Sequence, residues 1–371
     1  MNNKEKALIY PYDREFSTII RHQSICNYEI VEVVAPNGWG LSEKDASYAD
    51  GGQALNIIVN NNFESTLNNC DTLILSNSAL KLDFKESIYP KVVQAAEKNK
   101  KIISTAKFDI KEIEMIEEVC KYKGNIFIQY PLNKNYEICS YVDKLEIQEI
   151  KTPVIFVMGV GENAHKFEIQ LSVRENLFNM GYKVSQVGSR NYCEMFNFHS
   201  FPEFMYSNMY SETEKIKLFN NFIKNIENQE NPDVIIIGIP GTIMRINNKA
   251  TYDFGVLAFE VSQAVKPDAS ILSVLYENYL PSFFEKIAQE VKYKFVCDIS
   301  CFNYVNSMID WNYFEINTEA KYIDVTLDLV NNKIKELNNS IPIFNIMNEN
   351  EGLKITEHLV NKLACEEYEV L

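Results

Sequence analysis

The sequence predicts an α/β protein with two parallel sheets, each at the core of one domain. Short apolar runs alternate with helical patterns along the whole chain, which is typical of parallel sheets with crossover helices. The length of 371 residues corresponds to two domains of ordinary size. Hydrophobic residues make up 46% of the chain, which is enough for two packed cores and excludes general disorder.

The first half, residues 1–150, is predicted to form a Rossmann-like domain. Apolar runs predict strands at Ala7–Tyr10, Glu29–Val34, Leu55–Val59, Thr72–Leu75, Lys101–Thr105 and Asn125–Gln129, and amphipathic patterns predict helices at Tyr89–Asn99 and Ile110–Lys121. The first strand runs into Pro11-Tyr12-Asp13 instead of GxGxxG, so the phosphate fingerprint of dinucleotide-binding domains is missing. The turn-rich segment Ala35–Gly52 interrupts the alternation and is predicted to be a functional or mobile loop.

A polar stretch, Lys144–Lys151, separates this half from a second domain, predicted to comprise residues 151–371. The alternation restarts there with a strongly apolar strand, Val154–Met158. Further strands are predicted at Lys183–Val187, Val234–Gly238, Ser270–Leu275, Lys294–Asp298 and Ile343–Ile346. Helices are predicted at Lys166–Met180, Glu212–Glu227, Phe254–Val265, Leu280–Gln289, Tyr322–Leu337 and Glu351–Cys365.

The charge balance excludes two classes of partner. Against 51 Asp and Glu the chain has 36 Lys and Arg, a net charge of −15 that opposes binding to nucleic acids and to anionic membrane surfaces. No apolar run approaches the ~20 residues of a membrane-spanning helix. The first residues also lack the apolar stretch of a signal peptide. We therefore expect a cytoplasmic protein that contacts neither nucleic acid nor membrane.

The spacing of cysteines and histidines predicts no metal site. The eight cysteines include no CxxC pair, and the nearest two, Cys297 and Cys301, are four residues apart. The four histidines do not complete a ligand set around any of them. In a reducing cytoplasm these cysteines are expected to be free thiols.

The segment that follows Val154–Met158 has the layout of a phosphate-binding loop. A buried strand, a glycine-containing loop and a helix follow one another in VIFVMGVGENAHKFEIQ, with Gly159 and Gly161 in the loop and Lys166 at the start of the helix. Loop amides and a helix N-terminus attract an anion, and a lysine neutralises it. Together with Glu162 and Asn163, these residues are predicted to bind ATP, GTP or phosphate weakly, although the usual GxxxxGK[ST] spacing is not matched.

A lysine seven residues after the first loop glycine resembles the loop of dethiobiotin-synthetase-like NTPases and of the DUF1611 family. The string NPDVIIIGIPGTIM, residues 231–244, is similar to a second DUF1611 segment, in which Gly241 and Thr242 match a Gly-Ser pair. The resemblance covers about half of the chain. It implies that the second domain is P-loop-NTPase-like, that Gly241 and Thr242 belong to the phosphate site, and that a Rossmann-like domain precedes it.

The chain departs from that family at the positions that support Mg²⁺. Phe167 and Glu168 replace the hydroxyl residues after the lysine, and Gly238 replaces the acid at the strand end. Since P-loop proteins hold Mg²⁺ through such groups, the resemblance implies a degenerate loop that binds Mg-NTP weakly.

A narrower resemblance covers most of the chain. GVGENAHKFEIQL, residues 159–171, and GSRNYCEMFNFHSFPEFM, residues 188–205, resemble a clostridial peptide maturation system family. Members of that family accompany Cys-rich, bacteriocin-like precursor peptides, radical SAM proteins and an acyl-carrier-related protein. The resemblance implies a role in maturing a ribosomal peptide natural product, with these three as partners, and leaves the reaction and a homo-oligomeric state open.

The segment 188–206 allows three interpretations. His199 is a candidate proton carrier with Glu194 as its partner, because histidine titrates near neutral pH. Alternatively, the segment's phenylalanines form a docking surface for a precursor peptide or partner enzyme; these are Phe196, Phe198, Phe201 and Phe204. In the third interpretation the same aromatics pack on the core.

Two functions therefore remain open from sequence. In the first, the chain binds a precursor peptide or a partner enzyme of the maturation system. In the second, it is an NTP- or phosphate-dependent enzyme that modifies the peptide or a small amino-acid-like substrate, with Lys166 on the phosphate and His199 or Glu194 moving a proton.

Overall fold

The computed structural model describes residues 4–132, 145–317 and 320–366, and these form two compact units. Residues 4–132 and 191–197 make up the first unit, and residues 145–190, 198–317 and 320–366 make up the second. Each unit is built on one large parallel sheet with helices packed against it, so the predicted α/β class is confirmed. Among the described residues, no helix combines the length and the apolar character that a membrane crossing requires.

The first unit contains a six-stranded sheet in which every pairing is parallel. Its strands are β1 (Glu5–Tyr10), β2 (Tyr28–Val34), β3 (Val59–Asn60), β4 (Thr72–Leu75), β5 (Lys101–Ser104) and β6 (Phe127–Gln129). Its helices are α1 (Ser17–Arg21), α2 (Phe63–Thr66), α3 (Tyr89–Glu97) and α4 (Ile110–Lys123). The order β3-β2-β1-β4-β5-β6 is that of dinucleotide-binding Rossmann folds.

A buried carboxylate lies where the strand order of this sheet reverses, between β1 and β4. Asp13 accepts hydrogen bonds from the amides of Glu15, at 2.9 Å, and Ala79, at 2.6 Å. Burial raises the pKa of Asp13 to about 6, although both amides favour its charged form. In Rossmann domains such turn amides bind a cofactor phosphate. Here the Asp13 carboxylate accepts the hydrogen bonds of these amides.

The turn-rich segment after β2 is attached to α1 by a buried ion pair. Arg21 donates two hydrogen bonds to Asp50, at 2.9 and 2.7 Å, and the Ser17 hydroxyl donates a third. Asp50 is 2% exposed, so its charge needs these partners. The end of the segment predicted as Ala35–Gly52 is therefore fixed on the first unit.

The second unit contains a seven-stranded parallel sheet in the order β15-β12-β11-β7-β10-β8-β9, and an antiparallel pair, β13-β14. Its strands are β7 (Val154–Gly159), β8 (Val184–Gly188), β9 (His199–Ser200), β10 (Val234–Gly238), β11 (Ala269–Val274), β12 (Cys301–Tyr304), β13 (Ser307–Ile309), β14 (Tyr322–Asp324) and β15 (Ile343–Phe344). Its helices are α5 (Lys166–Asn179), α6 (Glu212–Glu230), α7 (Val256–Ala264), α8 (Pro281–Phe295), α9 (Trp311–Ile316), α10 (Leu327–Glu336) and α11 (Glu351–Glu366).

The central strand β7 is buried along its whole length because helices cover both faces of the sheet. On one face its side chains pack with those of α5 and α11, and on the other with those of α6, α7 and α8. Strands buried on both faces are continuous apolar runs, as VIFVM in β7 and VIII in β10 are. This explains why the sequence predicts these strands well.

Three predicted elements of the chain are wrong in part. The strand predicted at Lys294–Asp298 is the end of α8, followed by Val296 in the left-handed conformation, and the strand itself comes later as β12. Within the helix predicted at Tyr322–Leu337, the first residues form β14. Of the strand predicted at Leu55–Val59, only Val59 belongs to a strand, β3. These segments are short or polar, and their conformation depends on which neighbour they meet.

We expect Gly352→Ala to destabilise the second unit by about 1–3 kcal/mol, as overpacking in a core does. A Cβ atom at Gly352 on α11 would overlap the Ser172 hydroxyl of α5. Adding Ser172→Ala to Gly352→Ala should recover most of the lost stability. Glu357→Ala, on the exposed face of α11, is the matched control, and wild type is the fourth protein. Urea unfolding of the four proteins measures the effect. Equal stability of Gly352→Ala and wild type would contradict the close approach of the two helices.

Candidate functional site

The predicted phosphate-binding segment lies at the carboxyl end of β7, between β10 and β11. The chain adds β8 and β10 on one side of β7 and then β11, β12 and β15 on the other. In open parallel sheets, ligands bind in the crevice at such a reversal, beyond the carboxyl ends of the strands. We call residues 159–166, from the end of β7 to the start of α5, the glycine loop.

Both glycines of the glycine loop lie where a side chain would crowd a neighbouring side chain. A Cβ atom at Gly159 would lie 3.0 Å from Cδ of Lys166, and one at Gly161 would lie 2.6 Å from Cδ1 of Leu275. Asn163 and His165 have positive φ angles of 54° and 47°, which allow the chain to turn tightly into α5. The loop is therefore compact and lies close to the Lys166 side chain and to Leu275 in the segment after β11.

Several amides of the glycine loop have no acceptor within the protein. In the described part of the chain, the N–H groups of Gly161, Glu162, Asn163 and Lys166 donate no hydrogen bond to a protein atom. The first N–H groups of a helix have no partner inside the helix, and they carry the positive end of its dipole. The loop and the start of α5 therefore offer several donors to an anion.

Lys166 lies half-buried over the loop, and its Nζ atom donates a hydrogen bond to the Gly241 carbonyl. Burial lowers the pKa of Lys166 to about 8, and the nearby charge of Arg190 lowers it further, whereas Glu162 opposes the shift. Arg190 follows the end of β8. The charges of Lys166, Arg190 and Glu162 thus act on one another at the carboxyl end of the sheet.

The predicted Gly241-Thr242 pair contributes to this site through only one of its residues. Gly241, with φ of 69°, presents its carbonyl to Lys166. The Thr242 hydroxyl is buried and donates to the Met244 carbonyl at 2.7 Å, within its own loop. The structure therefore brings together Gly159, Gly161, Glu162, Asn163, Lys166 and Gly241, and uses the Thr242 hydroxyl elsewhere.

His199 has a partner different from the one predicted. On the edge strand β9, its Nε2 atom bonds the Glu230 carboxylate at 2.6 Å, and its ring packs edge-on against Phe222. The Ser185 hydroxyl donates to the second oxygen of Glu230. In the described part of the chain, the carboxylate bonded to His199 is thus that of Glu230 and not that of Glu194. His199 is packed against α6 and connects the edge strand β9 to the last residue of that helix.

The phenylalanines proposed as a docking surface are largely inside the protein. Phe196, Phe198 and Phe201 are 1%, 5% and 7% exposed. The Phe198 ring packs near Phe167, and the Phe201 ring lies 5.3 Å from that of Phe219 in α6. The third interpretation of the segment, aromatics packed on the core, agrees with this burial, and these three rings offer no surface to a partner.

The two remaining candidate residues, Cys297 and Cys301, have thiols in unreactive environments. Cys297 and Cys301 are buried, and burial raises the pKa of their thiols to about 11 and about 12. Among the described residues, no three His, Cys, Asp or Glu side chains are grouped as metal ligands would be. Sequence reasoning missed Arg190 and Glu230, because nothing local to either residue indicates its distant partner.

The whole chain superimposes on a solved structure, a DUF1611 family protein from Anabaena variabilis. The alignment covers 97% of this chain and 99% of that one, with a TM-score of 0.62 and 9% identity. The chain has the DUF1611 fold. The predicted likeness is confirmed at the level of the fold, which is all that this identity supports.

Partial similarity to two cell-division proteins is weaker. MinD from Aquifex aeolicus aligns with 58% of this chain and 97% of its own at 12% identity, with a TM-score of 0.33. MinD from Pyrococcus horikoshii, solved with Mg-ADP, aligns with 56% of this chain and 86% of its own, with the same identity and score. No protein-family model matches the sequence, and no curated protein matches it significantly.

We expect His199→Gln to lower the free energy of unfolding by about 1–2 kcal/mol at pH 7, because it removes a hydrogen bond to a carboxylate that is partly exposed. This hydrogen bond lowers the pKa of Glu230. The stabilisation is therefore present above the unfolded-state pKa of the carboxyl and is lost as the pH falls through its lower folded-state pKa. Thermal unfolding between pH 3 and 7 measures it.

Glu230→Gln should have a similar effect, and the double variant should lose less than the sum of the two. Glu203→Gln, at an exposed acid in the same region, is the control. Unchanged stability of His199→Gln at pH 7, together with a loss of turnover of about 10²–10⁴-fold, would instead favour the proton-carrier interpretation.

Proposed function

We propose that the second unit binds a phosphate-bearing ligand at the glycine loop, with ATP, GTP and inorganic phosphate as candidates. One observation carries the proposal: loop amides that have no protein acceptor, the start of α5 and the Lys166 amine belong to one loop at the reversal point of the sheet. Backbone donors, a helix dipole and a cation in one place are what phosphate sites in proteins combine.

The surroundings of the loop support binding better than turnover. A general acid or base has to lie within hydrogen-bond reach of the reacting group. His199, the predicted proton carrier, is engaged with Glu230 and packed against α6. Lys166 is a suitable anion partner, because the anion would offset the burial that lowers its pKa.

We also propose that the chain acts in the maturation of a ribosomal peptide. The support is the likeness of residues 159–171 and 188–205 to a clostridial peptide maturation system family. In this role the chain binds a precursor peptide or a partner enzyme in the cytoplasm, the partners being a radical SAM enzyme and an acyl-carrier-related protein. The alternative is a phosphate- or NTP-dependent enzyme that modifies the peptide or a small amino-acid-like substrate.

Calorimetry with ATP, GTP and inorganic phosphate should detect weak binding at pH 7 that Lys166→Ala abolishes. Lys183→Ala, an exposed lysine before β8, should bind as wild type does. Since the pKa of Lys166 is about 8, the wild-type affinity should fall between pH 7 and pH 9 as the amine loses its proton. The pH series is run with ATP and GTP, whose charge stays nearly constant in that range because the second pKa of a phosphate ester is about 6.

Two results would contradict the phosphate proposal. One is the absence of heat at millimolar concentrations of all three ligands. The other is binding that Lys166→Ala leaves unchanged, since a true loop site requires the only lysine of residues 159–166.

The maturation proposal predicts a change in mass of the precursor peptide. Co-expression of the precursor and its partner enzymes, with and without this chain, should give different product masses by mass spectrometry. The Lys166→Ala protein serves as the matched variant. Identical masses in every partner combination would remove the maturation role and leave phosphate binding unaffected.

A further inference from the structure

The glycine loop lacks the two groups that hold Mg²⁺ in P-loop proteins. Those proteins use a Ser or Thr hydroxyl directly after the loop lysine and an acid on a neighbouring strand. Here the residue after Lys166 is Phe167, whose ring is 5% exposed and packs near Phe198. The matching strand end is Gly238, at the carboxyl end of β10.

The space beside Gly238 is filled by an uncharged amide. A Cβ atom at this position would overlap Oε1, Cδ and Nε2 of Gln170. That amide is held in place, because Nε2 donates to the Lys166 carbonyl and to the Ser189 hydroxyl, both at 3.0 Å, and Oε1 accepts from the Ser189 amide at 3.2 Å. An acid cannot replace Gly238 unless Gln170 changes as well.

The charges around the loop also disfavour a divalent cation. Arg190 directly follows Ser189, and the Gln170 amide bonds both Ser189 and the Lys166 carbonyl. The two cations therefore belong to one connected part of the site, where the charge of Arg190 also lowers the pKa of Lys166. A Mg²⁺ ion placed near them would be repelled by both. The exposed Glu162 is the only carboxylate that is shown to act on Lys166, and a lone carboxylate falls short of a Mg²⁺ site.

We infer that the glycine loop binds a phosphate dianion without Mg²⁺, as inorganic phosphate or a phosphate monoester, and that Lys166 and Arg190 supply the positive charge that a metal supplies in P-loop NTPases. The inference rests on the proposed phosphate binding and narrows its ligand class. Two cations match the charge of a dianion. The negative charge of Glu162 opposes the further phosphates of a nucleoside triphosphate, which would arrive without a metal to neutralise them.

Calorimetry with inorganic phosphate, phenyl phosphate and ATP, each in Mg²⁺ buffer and in EDTA, tests this inference. We expect affinities for the two dianions that agree within about twofold between the buffers, and ATP that binds no more tightly than they do. Arg190→Gln should weaken both dianions by about tenfold, the usual loss for one hydrogen bond to a charged group. Comparison of phenyl phosphate with inorganic phosphate shows whether the site accepts an organic group on the phosphate.

A gain-of-function variant tests the role of Gln170. Gln170→Ala combined with Gly238→Asp places a strand-end acid in the space that the amide vacates, and ATP binding should then become about tenfold tighter with Mg²⁺. Gln170→Ala alone is the matched control and should not respond to the metal. A folded double variant that is also indifferent to Mg²⁺ would overturn the assignment of Gln170 as the residue that excludes it.

The outcomes separate the two proposals. Wild-type binding that becomes tenfold tighter or more with Mg²⁺ would overturn the metal-free inference and leave the phosphate site intact. Absence of binding in both buffers would overturn both proposals. Equal binding in the two buffers with loss in Arg190→Gln would support both.

Discussion

The close packing of the Gln170 amide against the backbone of Gly238 is the constraint around which the candidate site is arranged. Through this one side chain, α5 is fixed to the carboxyl end of β10 and, by two hydrogen bonds to Ser189, to the segment after β8. Lys166, one turn earlier on α5, is thereby placed over the loop after β10. Arg190 directly follows Ser189 and is brought next to Lys166. The proximity of Lys166 and Arg190 thus follows from the packing of the buried residues around Gln170.

The same helix explains the aromatic character of the segment after β8. Along α5 the polar residues Glu168, Gln170, Ser172 and Arg174 are all buried. The Arg174 guanidinium lies between the rings of Phe178 and Phe198, at 4.6 and 5.0 Å, and donates to the Val184 carbonyl. A buried cation requires such partners, and aromatic faces are among those that suit arginine. Phe198 therefore has a structural role.

The two sheets differ in the charge of the groups that lie where the strand order reverses. In the first unit, the Asp13 carboxylate accepts the turn amides that a Rossmann domain offers to a phosphate, and no glycine fingerprint is present. In the second unit, the loop amides are free of protein acceptors among the described residues and Lys166 lies beside them. With a negative side chain in the first crevice and a lysine in the second, the charges of the second crevice suit an anion better than those of the first.

The sequence alone determined the elements whose signals are local. Apolar runs located β4 and β10 to the residue, and the predicted start of α6 at Glu212 agrees with the structure, where Ser211 and Glu214 form a capping box. The loop of Gly159, Gly161 and Lys166 was also recognisable, because its spacing along the chain is the signal. The tertiary structure decided which side chains surround that loop. Gln170 lies beside Gly238, Arg190 beside Lys166 and Glu230 beside His199, and the members of these pairs are 68, 24 and 31 positions apart in the chain. Such contacts depend on how strands are ordered in the sheet, and the chemistry of a single residue does not encode that order.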